Sequence, residues 1–264
     1  MTDVYSFSEG PTPLLISIPH DGRLLAPGQA ERMTDVAKAL PDTDWFVRDL
    51  YEFSTAIGAN VVAANYSRYV VDLNRSANDA APYANQISTG LCPTQTFAGE
   101  KLYLPGESVS ALEQAIRVRE YWQPYHDKIS DTLDQLTQNH GHALLWDAHS
   151  IASEVPRLFP GVLTDINIGT NGSKSCAAAC EQAVMVATDN TAYSAVLNGR
   201  FQGGYITRHY GKPDKNNHAI QLELSQRCYM DEKRMRYDEN SANDVAETIK
   251  RMLQAFVASG QKLV

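Results

Sequence analysis

What most constrains this chain is the repeated exchange of a short apolar run for a longer amphipathic one. "PLLISIPHDG" (residues 13–22) is apolar and β-branched and closes on Pro, Asp and Gly. It reads as a buried strand followed by a loop that holds His20. "DTDWFVRDLYEFSTAIGA" has apolar residues at Trp45, Phe46, Val47, Leu50, Phe53 and Ile57. That spacing predicts a helix whose first turn carries Asp42, Thr43 and Asp44. Strands are predicted at 61–64 and 69–73, the second running into Asn74 and Arg75. A Ser, Asn, Pro and Gly rich stretch occupies 76–108. A long helix then runs from a capping box at Ser110 and Glu113 to Gly141, with a kink at Pro124. A strand at 142–146, a helix at 175–187, strands at 192–197, 203–208 and 218–225, and an amphipathic helix at 241–259 complete the pattern. Strands alternating with helices predict an α/β fold of three layers, a parallel or mixed sheet flanked by helices. No break in composition divides the 264 residues, so a single domain, 1–264, is expected.

The formal net charge of −8 argues against nucleic acid or an anionic membrane as partner, since both favour a basic surface. It leaves room for a small anionic substrate held by a local group of arginines. No apolar run approaches the ~18 residues of a membrane span, and "MTDVYSFSEG" lacks the basic and apolar regions of a signal peptide. A cytoplasmic protein, monomeric or a small homo-oligomer, is expected. Cys176 and Cys180 share a helix face, but "KSCAAACEQAV" offers no second pair or histidine for zinc, so they read as buried small residues.

"LLWDAHS" (residues 144–150) turns polar at Asp147 and His149. In open α/β sheets ligands bind beyond the carboxyl ends of strands. Other predicted strands also end on reactive side chains: His20, then Asn74 and Arg75, then Arg208 and His209, while the late strand carries Glu223. A hydrolytic zinc site takes three ligands from His and Asp/Glu and leaves one position open. His20 and His149 are candidate ligands, with Asp44, or Asp42 two residues away, as the carboxylate. Glu223 is then a proton shuttle, and Asp147 orients the His149 ring. Plainer readings stand beside these. His20 reads equally as a satisfied polar residue, Asp44 as a first-turn acid, Glu223 as a partner of Arg227, and Asp147 as a turn cap. Arg75 and Arg208 suit an acidic substrate, or inter-element ion pairs. Ser150 is set aside as a nucleophile: "AHSIA" is not a GxSxG elbow, and strand neighbours face opposite ways. "GTNGSKS" lacks the GK[ST] phosphate pattern and reads as a loop with a helix cap. The stretch 76–108 is long enough to suggest a lid over the substrate.

Taken together, "SIPHDG", "DTDWFVRDLYEF", "YVVDLNRS", "YWQPYHDKI", "LLWDAHSI", "PRLFPG", "GGYITRHYGKP" and "HAIQLELSQRCYMDE" resemble the N-formylglutamate amidohydrolases in order and spacing. The resemblance spans about residues 11–255 and departs at Phe46, where the family pattern has a His. It implies a zinc-peptidase-like α/β fold and one divalent metal ion, Zn2+ by expectation. It also implies hydrolysis of N-formyl-L-glutamate to L-glutamate and formate, the last step of one route of histidine breakdown. It further implies His20, Asp44 and His149 as metal ligands, Glu223 as the catalytic base and acid, and Asn74, Arg75 and Arg208 as holders of the substrate carboxylates. Two competing functions remain: a zinc-dependent deacylase of another N-acylated acidic amino acid, and a non-catalytic dicarboxylate-binding module.

Overall fold

A computed structural model of the chain describes residues 3–79 and 89–263. Its centre is a sheet built from β1 (Tyr5–Ser8), β2 (Leu14–Ile18), β3 (Asn60–Ala64), β4 (Ala143–Ile151), β5 (Ile166–Gly169), β6 (Ala195–Leu197) and β7 (Asn217–Ser225). The strand order is β1-β3-β2-β4-β7-β5-β6. β3, β2, β4 and β7 run parallel, while β1 and β5 pair antiparallel with β3 and β7. The sheet is therefore mixed and mostly parallel. β8 (Met230–Asp231) and β9 (Arg236–Tyr237) form a separate hairpin.

The short helices α1 (Asp35–Lys38) and α2 (Val47–Leu50) come first, followed by α3 (Ala111–Arg117), α4 (Gln123–His140), α5 (Ala178–Val186), α6 (Tyr205–Tyr210) and α7 (Glu239–Gly260). Period-two alternation divides them between the two faces of the sheet. Leu144, Trp146 and Ala148 of β4 join Ile16, Ile220 and Leu222 in a core closed by α2, α5 and α7. Ala143 and Leu145 point the other way, with Leu15 and Ala219, against Tyr125, Ile129 and Leu133 of α4 and Ile206 of α6. Both faces are covered, so every residue of β2 and β4 is buried. This accounts for near-continuous apolar runs in place of strict alternation.

Several expected elements differ. The predicted strand 69–73 is a series of turns, although Tyr69, Val70, Val71 and Leu73 are buried as a strand's residues would be. Ser67 starts the turn by accepting from the Tyr69 and Val70 amides. The Tyr69 and Val70 carbonyls are met by Arg117 and Gln29 side chains in place of a strand ladder. The predicted strand 203–208 is α6, whose first amides donate to Asn74: Tyr205 N to the carbonyl at 3.2 Å and Ile206 N to Oδ1 at 2.8 Å. The helix expected after Asp42 starts only at Val47, because Phe46 sits in left-handed backbone at φ 62°, and α2 then gives way at Tyr51 to a 3-10 turn (Glu52–Thr55). The long helix is interrupted by a π turn (Val118–Trp122), which lets α4 start afresh with Pro124 in its first turn. Ser110 caps α3 by accepting the Glu113 amide, while the Glu113 carboxylate is taken by Arg32 and Arg117, so half of the expected capping box forms. Gly141, at φ 78°, ends α4 as expected. β1 was not foreseen.

Residues 80–88 of the expected lid lie outside the described residues. The part from 89 to 108 packs onto the body, with Leu91 and Leu102 fully buried and Leu102 N on Thr94 O at 3.0 Å. It forms a wall. Among the described residues no helix is long and apolar enough to cross a membrane.

Candidate active site

β2 and β4 are adjacent, and the chain leaves β2 for β3 on one side and returns as β4 on the other. Their carboxyl ends therefore flank the crevice where open α/β sheets bind ligands. On the α4 face, β4 and its neighbour β7 change character partway along. Leu145 pairs with Ala219, then Asp147 with Gln221, then His149 with Glu223. Side chains in register on parallel strands share a face, so His149 and Glu223 arrive side by side. Ser150 takes the opposite face, where its hydroxyl meets Tyr229 at 2.7 Å.

His20, two residues beyond β2, stands 4.9 Å from His149, ring centre to ring centre. Asp44 is brought alongside by the turn before α2, its amide donating to the His20 carbonyl at 3.1 Å. Ligand atoms of His20, Asp44 and His149 all lie within 4.8 Å of one another, and the three residues are buried. Asp42 is not part of this group; its Oδ2 accepts the Phe97 amide at 2.8 Å. Among the described residues this is the one His, Cys, Asp and Glu group placed to hold a cation. Cys176 and Cys180 are buried free thiols.

The far nitrogen of each ring faces a carboxylate. His20 Nε2 meets Asp72 Oδ1 at 2.8 Å and His149 Nε2 meets Asp147 Oδ2 at 3.1 Å. That leaves His149 Nδ1 on Asp44 Oδ2 at 3.0 Å and His20 Nδ1 at 3.8 Å from the same oxygen. His20 Nδ1 is buried with no hydrogen-bond partner. A nitrogen lone pair facing a carboxylate oxygen is repulsive unless a proton or a cation lies between them. Two imidazoles, one carboxylate and a carboxylate behind each ring thus fit a divalent cation with a position left open.

Electrostatics bind the group together. Burial and the Arg68 guanidinium lower the His20 pKa, keeping the ring neutral. Burial opposes charge on His149 but is outweighed by Asp147 and Asp44, so its pKa rises. Asp72 is lowered well below the usual carboxylate range: burial alone would raise it, but Arg68 and His20 outweigh that. Glu223 is pushed up to about 8, by burial first, with His149 opposing and Asp44 assisting.

A cavity of about 140 Å³ opens on this group, and His20, Asn74, Arg75, His149 and Glu223 all line it. Asn74 Nδ2 lies 2.9 Å from His149 Nε2. Arg75 Nη1 is buried without a hydrogen-bond partner. Arg208, expected as a substrate holder, lies on α6 outside the lining residues, with its Nε donating to the Gly203 carbonyl at 2.7 Å. Arg200 lines the cavity and was not singled out from the sequence.

Two further residues escaped sequence reasoning. Asp72 orients His20, and Arg68 links Asp72 (2.7 Å) to Asp44 (3.5 Å). The signal was their spacing of four, which places side chains together on a turn but far apart on the strand that 69–73 resembled.

The family profile of the N-formylglutamate amidohydrolases matches residues 12–230. The chain belongs to the N-formylglutamate amidohydrolase family. Membership places it among hydrolases of an amide C–N bond and bears out the resemblance read from the motifs. It is 46% identical to the N-formylglutamate deformylase of Pseudomonas putida, covering 98% of each chain. It is 47% identical to that of Pseudomonas aeruginosa, covering 99% of each. The fold is that of the N-formylglutamate amidohydrolase from Ralstonia eutropha JMP134, at TM-score 0.80 and 19% identity over 97% of this chain and 96% of the other. It is also that of an Agrobacterium tumefaciens gene product, at TM-score 0.71 and 16% identity over 95% of each chain.

Proposed function

We propose that this chain hydrolyses the formamide bond of N-formyl-L-glutamate, giving L-glutamate and formate. The observation that carries the reading is the register of β4 and β7, which sets Glu223 beside His149 at the mouth of a buried ligand group. The curated relatives at 46% and 47% identity, named as deformylases of this compound, supply the substrate.

His20, Asp44 and His149 hold a divalent ion, Zn2+ in this reading. When bound, it supplies Lewis acidity to a carbonyl oxygen and makes a water more acidic. Glu223 accepts the proton that the attacking water loses and passes it to the departing amine nitrogen, so the C–N bond breaks to formic acid and a neutral amine. Transfer of the acid's proton to the amine leaves formate and the ammonium form of glutamate. Asp147 and Asp72 keep the His149 and His20 rings turned so that each Nδ1 faces Asp44. Asn74 and Arg75 receive a substrate carboxylate. Arg208 is kept as a further carboxylate holder in this reading, and Arg200, which lines the cavity, joins it. The zinc-peptidase-like kinship, the place at the end of histidine breakdown and a cytoplasmic site of action belong to the same proposal.

The test is formate release from N-formyl-L-glutamate by chelated and by zinc-loaded protein. Chelated protein that turns over at an undiminished rate overturns the metal-held mechanism. Loaded protein that releases no formate overturns the substrate.

A further inference from the structure

A second cavity, of about 350 Å³, lies against the first and shares Phe97, Ser150 and Ile151 with it. We infer that Phe97 is the wall that confines the acyl group to formyl, and that the cavity behind it is a latent subsite for longer apolar acyl chains. The inference rests on the deformylase reading of the site and names what sets its acyl selectivity.

Charge orients the substrate between the two spaces. Asn74, Arg75 and Arg200 line the first cavity only. The second is lined by the acids Asp42 and Glu154 and by one cation, Arg157. Arg157 is already engaged by the Thr96 carbonyl at 3.0 Å and Gln95 Oε1 at 2.7 Å. In the first lining Arg68, Arg75 and Arg200 outnumber the acids Asp72 and Glu223, and in the second the acids outnumber the one cation, so a dicarboxylate favours the first. In this reading the carboxylates lie beside Arg75 and the scissile carbonyl at the His20, Asp44 and His149 group, and the remaining substituent of the carbonyl carbon is set towards the wall shared by the two cavities. In a formyl group that substituent is a hydrogen. The rest of the second lining includes Pro41, Ala152, Val155 and Pro156, which suit hydrocarbon.

Of the three shared residues, Phe97 is the one that a substitution can remove cleanly. Ser150 and Ile151 belong to β4, and the Ser150 amide holds Asp44 Oδ2 at 3.1 Å. Phe97 comes from a loop fastened by its backbone. Its amide is on Asp42 Oδ2 at 2.8 Å, and Thr96 N closes the turn on Glu100 O at 2.9 Å. The ring lies against the Arg68 guanidinium, 4.7 Å from ring centre to Cζ. Shortening the side chain leaves both backbone anchors in place and joins the two cavities.

The experiment measures kcat/KM of zinc-loaded wild type, Phe97→Leu and Phe97→Ala on N-formyl-, N-acetyl- and N-butyryl-L-glutamate, with melting temperatures to report folding. Wild type is expected to lose activity as the acyl chain lengthens. The butyryl-to-formyl ratio should rise at least about tenfold in Phe97→Ala, since a methylene in an apolar pocket is worth tenfold or more in selectivity, with Phe97→Leu between. Phe97→Leu keeps most of the apolar contact and carries the test if Phe97→Ala melts too low. A flat ratio in folded variants that still release formate overturns the inference and leaves the deformylase reading intact. A wild type inert towards N-formyl-L-glutamate sinks the reading beneath it.

Discussion

Glu223 and Gln221 show how one position on a strand sets a residue's chemistry. Both point to the α4 face of β7, but Gln221 pairs with Asp147, and its Oε1 accepts the Gly204 amide at 2.7 Å. Glu223 pairs with His149, and although both residues line the cavity, only Glu223 brings a carboxylate to the imidazole. Glu223→Gln keeps shape and removes the proton acceptor. It is expected to lower kcat by about 10²–10⁴ while leaving metal content unchanged. Elemental analysis beside steady-state kinetics checks this, and full activity in a metal-replete variant would sink the assignment. His126 makes a separate prediction about stability. It is buried, donates Nε2–H to the Leu73 carbonyl at 2.9 Å, and stacks on Trp122 with ring centres 3.8 Å apart. Burial lowers its pKa to about 3. A histidine with a depressed folded pKa is neutral in the native state and takes up a proton on unfolding. Stability is therefore lost as pH falls from about 6.5 towards 3, with a slope of up to about 1.4 kcal/mol per pH unit from this group. His126→Gln should flatten that part of the acid denaturation profile, and an unchanged slope would count against it.

Among the elements, α6 and the π turn before α4 act on the cavity through the backbone and side chains they hold, Asn74 and Arg75. Gly204 precedes α6, and a Cβ there would stand 2.3 Å from Asn74 Nδ2. Its backbone φ of −84° is open to any residue, so the demand for glycine is one of space. Gly204→Ala should push Asn74 away from His149 and lower kcat/KM for N-formylglutamate at least about tenfold, with the far-UV spectrum retained. The π turn sets Trp122 Nε1 on the Arg75 carbonyl at 2.8 Å, so the helix start braces the Asn74–Arg75 segment. The Ser110 cap on α3 is remote from the chemistry. Ser110→Ala is expected to cost about 1 kcal/mol, or roughly 2–4 °C in melting temperature, with kcat unchanged.

At the scale of the whole molecule, the three-layer sheet concentrates Asp44, Asp72, Asp147 and Glu223 around two imidazoles at one crevice, all of them buried. Arg68 offsets part of that negative charge through Asp44 and Asp72. A cation bound to the native state only adds RT ln(1 + [L]/Kd), about 2.7 kcal/mol at a hundredfold excess over Kd. Chelation is expected to lower the melting temperature and zinc to restore it. Calorimetry across a chelator and zinc titration checks this; a melting temperature indifferent to both would argue that the group holds no metal.

The apolar runs alone determined that β2, β4 and β7 are buried strands, because only a sheet covered on both faces accepts them. The alternation along "LLWDAHS" likewise separated His149 from Ser150. The capping residues marked where α3 begins and α4 ends. Tertiary structure decided the rest. Residues 69–73 and 203–208 have strand-like composition, yet their backbone groups are met by Arg117, Gln29 and Asn74 from distant parts of the chain, so turns and a helix form instead. The choice of Asp44 over Asp42 was invisible in a local pattern two residues wide. It follows from which carboxylate the turn before α2 carries to His20 and His149. Arg68, Arg200 and Phe97 enter the cavity only because three separate segments converge there, a fact about packing that local periodicity does not contain.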